Sequence, residues 1–215
     1  MKRGETRVNH SSNETEVILI RHGETRWNIE GRWQGHADSS LTDLGIHQAE
    51  ALAGRLSNKA FAALYTSDLG RARDTARIIS RETGHEIIFD SRLRERNVGI
   101  FQGLTLVEMQ DRFPESFERY RTFDQEYVIP QGESMNQRYA INIECINEIA
   151  ENHRGQSVVV VTHGGVLNSM FRYVLNLPPE SNRRYKIKNT SINSFVHGEN
   201  GWVLQTWGDI SHVKG

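Results

Sequence analysis

Two His-Gly pairs stand far apart in the chain, each directly beyond a short apolar run. Val17-Ile18-Leu19-Ile20 leads into Arg21-His22-Gly23-Glu24-Thr25-Arg26-Trp27-Asn28, and Val158-Val159-Val160-Val161 leads through Thr162 into His163-Gly164-Gly165. Runs this short and apolar are buried strands. In open α/β sheets ligands collect beyond the carboxyl ends of strands, so both imidazoles can converge on one pocket. Ser67-Asp68-Leu69-Gly70-Arg71-Ala72-Arg73 follows another apolar segment and opens a helix, which brings Arg71 and Arg73 near the same edge as Arg21. Guanidiniums bind phosphate through paired hydrogen bonds and a helix N-terminus adds amide donors, a combination suited to a dianionic phosphoryl group. Glu95, in Leu93-Arg94-Glu95-Arg96, also lies just past a strand and is the candidate proton donor.

The elements that must position these residues alternate. A strand at Val17–Ile20 is followed by a helix from Thr42, its N-cap, to Leu56, with Leu44, His47, Ala51 and Leu52 on its inner stripe. Then come a strand at Phe61–Tyr65, a helix from Leu69 to Glu82 closed by Gly84, and a short strand at Ile87–Phe89. From Ser91 to Ser134 the pattern is weak, with two short helical stretches around Pro114, and the weakly apolar insert at 103–132 reads as a binding lid. A helix at Ser134–His153, the Val158 strand and a helix at Val166–Leu175, stopping before Pro178-Pro179, complete the alternation. Arg184–Lys188, Ile192–His197 and Trp202–Trp207 read as closing strands. The fold class expected is a three-layer α/β/α sandwich around a mostly parallel, mixed sheet.

Composition narrows the function classes. At 215 residues, 37% hydrophobic, the chain fits one domain, 16–215, behind a polar tail at 1–15 that lacks the apolar centre of a signal peptide. A net charge of -1 gives no global pull toward nucleic acid or membrane, so any anion site must come from clustered arginines. No apolar stretch has transmembrane length, and a cytoplasmic protein is expected. The single cysteine, Cys145, sits on an apolar helical stripe with Ile141 and Ile149 and reads as a core residue. His36, His47, His85, His153, His197 and His212 read as surface or packing residues. The C-terminal strands form an edge that either pairs between subunits as a homodimer or is covered.

Taken in order, the motifs resemble those of the histidine phosphatase superfamily, in its phosphoglycerate mutase-like branch. The resemblance runs from Val17 to about His212: Arg21-His22-Gly23-Glu24-Thr25 with Asn28; Gly31 with Gln34-Gly35; Leu41-Thr42-Asp43-Leu44-Gly45 with Gln48-Ala49; Ser67-Asp68-Leu69 with Arg71 and Thr75-Ala76; Glu95 with Gly99 and Gly103; Gly132-Glu133-Ser134; and Thr162-His163-Gly164. It implies a phosphoglycerate mutase-like fold and a small phosphorylated metabolite as substrate. His22 would attack phosphorus and carry the group as phosphohistidine. Arg21, Arg71 and His163 would hold the equatorial oxygens, and Glu95 would protonate the leaving alkoxide and then activate water. The same resemblance places Asn28, Gln34, Gly35, Arg73 and Gly164 among the phosphate or substrate contacts. The second nitrogen of His22 would need a backbone carbonyl as its acceptor.

Mutases of this family carry a longer insert with a proline-rich run and usually His-Tyr after Glu-Arg, whereas this chain has Asn97-Val98 and a modest segment between Gly103 and Gly132. Both departures favour hydrolysis. Ser40 replaces the family's usual proline in its loop. The expectation is a phosphomonoester hydrolase with no metal, since the arginines would repel a cation and no ligand spacing occurs. The enzyme alternative is a phosphoglycerate mutase dependent on 2,3-bisphosphoglycerate, and the non-enzyme alternative is a phospholigand-binding module. Arg32 and Arg112 are candidates for a second anionic group, and Trp33 or Phe101 for an apolar leaving group.

Overall fold

A computed structural model describes residues 13–178 and 184–213. Its elements, in order, are β1 (Thr15–Arg21), α1 (Arg26–Glu30), α2 (Asp43–Leu56), β2 (Ala63–Thr66), α3 (Gly70–Thr83), β3 (Ile87–Phe89), α4 (Leu106–Arg112), α5 (Pro114–Arg121), α6 (Met135–Asn152), β4 (Ser157–Thr162), α7 (Gly164–Val174), β5 (Ile192–Gly198) and β6 (Gly201–Asp209). They form the α/β/α sandwich around a six-stranded sheet of order β3-β2-β4-β1-β5-β6. The pairs from β3 to β1 are parallel, and β5 and β6 join antiparallel.

The apolar runs alternate between the two faces because successive side chains of a strand point oppositely. Val17, Leu19, Val158 and Val160 pack with α6 and α7, while Ile18, Ile20, Val159 and Val161 pack with α2 and α3. The parallel register pairs Arg21 with Thr162. His22 and His163 are therefore the first residues beyond two adjacent strand ends. In β2, Thr66 is opposite Val161, which puts Ser67 at the same level.

Several expectations need correction. Arg184–Lys188 is not a strand, because the Ile187 carbonyl accepts from Nη1 of Arg21 (2.6 Å) in place of a ladder partner. The inner face of α2 is Gly45, Ala49, Leu52, Ala53 and Leu56, whereas Leu44 and His47 are exposed. Gly45 sets this register, since a Cβ there would lie 2.1 Å from the Glu24 carbonyl oxygen. Helix α7 begins at Gly164, earlier than the periodicity suggested, and α1 was not anticipated. Thr15 is buried in β1, so no tail extends that far; residues 1–12, like Pro179, lie outside the described residues.

The insert is more apolar inside than its sequence suggested. Val98, Phe101, Leu104, Met109, Phe117, Tyr127 and Ile129 form a third buried cluster, separate from the two on the sheet. Helix α4 starts with a capping box at Thr105 and Glu108, and Pro114 opens α5. Cys145 is fully buried, and burial pushes its thiol up to about 12.

Candidate active site

The site is built from the ends of β1, β4 and β2. His22 and His163 are both buried, with ring centroids 5.3 Å apart. Nδ1 of His22 lies 2.7 Å from the carbonyl oxygen of Gly23. A carbonyl only accepts, so Nδ1 carries the proton and the lone pair is on Nε2. Gly23 is held in turn by its amide, which donates to Thr75 Oγ1 (3.0 Å) on α3. No larger residue fits there, because a Cβ would fall 2.6 Å from the Gly45 carbonyl oxygen.

Arg71 is almost wholly buried at the start of α3. Nη2 donates to the Gly35 carbonyl (2.8 Å), and Nη1 donates to the Ala37 carbonyl (3.0 Å) and to Asp38 Oδ1 (3.1 Å). Its Nε is buried without a hydrogen-bond partner among the described residues. Leu69 gives α3 no side-chain cap, and Asp38 supplies one from the neighbouring loop by accepting from the Arg71 amide (3.2 Å). Burial, with the charges of Arg71 and Arg21, holds the His22 imidazole well below its ordinary value, while the Gly23 contact opposes this weakly. His163 is lowered in the same way by burial, Arg71, His22 and Arg21. The result is two neutral imidazoles beside two permanent cations, an environment made for a dianion.

Glu95 reaches this site from the segment after β3. Its Oε2 accepts from the Gly165 amide (2.9 Å) in the first turn of α7, and its Oε1 from the Arg96 amide (2.9 Å). His36 Nε2 sits 2.9 Å from the Glu95 carbonyl and fixes the same backbone.

The remaining predicted contacts divide. Gln34 donates through Nε2 to Thr25 Oγ1 (3.0 Å), and its Oε1 is buried without a partner among the described residues. Asn28 Oδ1 accepts from the amide of Thr25 (3.1 Å) and from Asn189 Nδ2 (3.2 Å), which organises the loop after β1. Gly35, at φ +55°, contributes the carbonyl that holds Arg71, and Gly164 lies with its Cα hydrogen beside Arg21 Nε. Arg73 is half-exposed and pairs with Asp74 (3.3 Å). Arg32 bridges Glu30 and Glu108, which ties α1 to α4 instead of reaching for a ligand. Arg112 is exposed with its guanidinium over the Phe113 ring, whereas Phe101 is fully buried in the insert's own cluster and does not face a leaving group.

Residues 17–210 match the model of the histidine phosphatase superfamily, branch 1. The chain belongs to that superfamily. Phosphoglycerate mutase-like protein 4 of Arabidopsis thaliana is 39% identical over 203 residues, 93% of this chain and 87% of that one. The metal-independent phosphoserine phosphatase of the same plant is 37% identical over 210 residues, covering 96% and 87%. A phosphoserine phosphatase from Entamoeba histolytica, solved with phosphoserine, superposes with a TM-score of 0.81 at 27% identity, covering 92% of this chain and 98% of that one.

Within this histidine phosphatase, four contributors to the site had no role assigned from sequence: Ser67, which touches His163; Asp38, which caps α3 and pairs with Arg71; Gly165, which carries Glu95; and Asn189, whose Nδ2 donates to the His22 carbonyl (2.9 Å). Ser67 and Gly165 stood inside recognisable motifs. Asp38 and Asn189 sit in loops, where no periodicity points to them.

Proposed function

We propose that this histidine phosphatase hydrolyses small phosphomonoesters without a metal, through a phosphohistidine on His22. The observation that carries the reading is the buried, neutral imidazole of His22, oriented by Gly23 so that Nε2 keeps its lone pair among two guanidiniums. Nε2 attacks phosphorus while the bond to the leaving oxygen breaks, and Glu95 gives that oxygen a proton. A water then loses a proton to Glu95 and attacks phosphorus, the P–N bond breaks, and His22 returns neutral with release of phosphate. Arg21, Arg71 and His163 hold the equatorial oxygens as charge is redistributed.

The phosphatases among the relatives support hydrolysis of a small phosphorylated metabolite. No helix among the described residues is long and apolar enough to cross a membrane, and no cluster of three metal-ligating side chains occurs among them. The guanidiniums themselves disfavour a cation in the pocket. A single domain that begins with β1 at Thr15, with the insert at 103–132 as a folded lid, acting in the cytoplasm, completes the reading.

The test is phosphate release from a panel of phosphomonoesters in EDTA, by the native protein and by His22→Ala. Chelator-resistant release that disappears in the variant supports the proposal. Transfer of phosphate between positions of phosphoglycerate only when 2,3-bisphosphoglycerate is added, with none reaching water, would make the protein a mutase. Ligand binding with neither activity would make it a binding module.

A further inference from the structure

A cavity of about 410 Å³ lies against Arg21, and neither His22 nor His163 lines it. It lies between the end of β1 and the segments that enter β5 and leave β6, at the same edge of the sheet as the phosphoryl site. Arg21, Lys186 and Lys188 line it, with Ile210 and Val213 as an apolar wall. None of the described residues that line it is a carboxylate. Both lysines are exposed, and neither has a carboxylate within 4.0 Å among the described residues.

Several cations elsewhere on the surface are matched, although exposed Arg26, Arg81 and Arg154, like the two lysines, have no ion pair among the described residues. Arg55 pairs with Asp209, Lys59 with Glu16, Arg92 with Asp90 and Glu148, and Arg94 with Asp68. Concentrating lysines around one concavity beside Arg21, with no acid paired to them among the described residues, raises the local potential for anions. The segment is also built to hold them there. Ile187 is buried in the core between the two lysines, and its carbonyl accepts from Arg21 Nη1, which fixes the backbone that carries both amines. Asn189, next along, donates to the His22 carbonyl, so the same strap touches the nucleophile's own backbone.

We propose that this cavity is an anion site in which Lys186 and Lys188 take a carboxylate or second phosphate group of a small metabolite. Arg21 is the wall it shares with the phosphoryl pocket. The anion is either the distal group of the substrate itself or a separate metabolite whose presence is felt through the Arg21–Ile187 contact. The proposal deepens the phosphatase reading and rests on it only for the kinetic arm of its test.

The binding arm uses citrate as probe, followed through the backbone amides of Ile187, Asn189 and Val213 in 1H–15N spectra. The native protein is compared with the double variant Lys186→Ala/Lys188→Ala, whose exposed sites leave the fold intact. A saturable shift in the native protein, lost in the variant and weakened by salt, is expected. The kinetic arm compares p-nitrophenyl phosphate, whose leaving group has no second anion, with phosphoserine and 3-phosphoglycerate. If the site reads the substrate, kcat/KM for the doubly anionic esters falls about tenfold in the variant while p-nitrophenyl phosphate is unaffected, the scale of one charge-assisted contact. If it reads a separate metabolite, the ester ranking is unchanged and citrate alters turnover in the native protein only. The same citrate response in both proteins, or none in either, together with an unchanged ester ranking, overturns the proposal. Loss of all phosphatase activity in the native protein would instead strike the functional reading, and the citrate titration would still report on the cavity.

Discussion

Ser67 Oγ lies 2.8 Å from Nε2 of His163, and both residues are fully buried. The same hydroxyl accepts from the Leu69 amide (3.3 Å), and among the described residues Nε2 is the one acceptor within reach of its hydrogen, so we assign Ser67 as the donor and Nε2 as the acceptor. His163 then carries its own proton on Nδ1, a buried atom with no hydrogen-bond partner among the described residues. Ser67 thereby sets which face of this neutral imidazole offers a donor to a phosphoryl oxygen. The arrangement follows from the register, which brings the residue after β2 level with the end of β4.

Ser67→Ala removes that donor and leaves Nε2 unsatisfied, so kcat/KM should fall by about one order of magnitude and stability by about 1–3 kcal/mol. Imidazole 15N shifts separate this role from a merely structural one. The native spectrum should show His163 protonated at Nδ1, and the variant a mixture of tautomers. An Nε2-protonated His163 in the native protein would remove the basis of the prediction.

Acid should destabilise the protein through the same imidazoles. Burial and the flanking arginines lower His22 and His163 in the folded state, and burial lowers His36 and His212 as well. Between those lowered values and about 6.5 the unfolded chain binds protons that the folded chain does not. Stability is therefore fully present above about pH 6.5 and is lost as pH falls toward the folded-state values, by up to about 1.4 kcal/mol per pH unit for each imidazole. Urea unfolding of native protein and of His22→Gln across this range should show a shallower acid slope in the variant. Equal slopes would mean that His22 titrates normally.

Gly165→Ala tests the seating of the carboxylate. A Cβ at this position would lie 2.0 Å from Glu95 Oε1, and the Gly165 amide is itself a donor to Oε2. The carboxylate must move, and kcat should fall by about two orders of magnitude, the contribution of a positioned acid, with a much smaller change in KM. The drop should be steeper for poor leaving groups than for p-nitrophenolate, which needs little protonation. A loss equal for all leaving groups would show that Glu95 does not act as the acid.

The core strands were legible because a four-residue apolar run has few fates, and the sheet edge they share follows from parallel topology alone. Arg71 was legible for its place at the opening of a helix. Its anchors were not: Asp38 and the Gly35 and Ala37 carbonyls come from a loop whose path depends on tertiary contacts. On the inner stripe of α2 Leu52 is buried as its spacing indicates, but Leu44 and His47 are not, because Gly45 is there for close approach to Glu24, a reason that hydrophobic periodicity does not record. Arg184–Lys188 alternates like a strand, yet its carbonyl is claimed by a guanidinium. The insert's core was missed because its apolar residues, from Val98 to Ile129, are spread over two short helices and connecting turns with no single period.

That separate core makes a last prediction. Phe101 is fully buried, with Phe113 and Tyr120 ring centroids 6.4 Å and 6.0 Å away, and its cluster shares no residue with the two that sandwich the sheet. Phe101→Ala should cost about 3–5 kcal/mol of local packing. Because stability is not uniform across a fold, the loss should appear first as faster amide exchange over 104–129, while β1 and β4 keep their protection. Turnover should fall with it, since the Val98 side chain of the same cluster packs against Gly35, whose carbonyl holds Arg71. Amide exchange accelerating equally in the insert and in β1 would show instead that the two cores melt as one, and that the insert cannot open without the sheet.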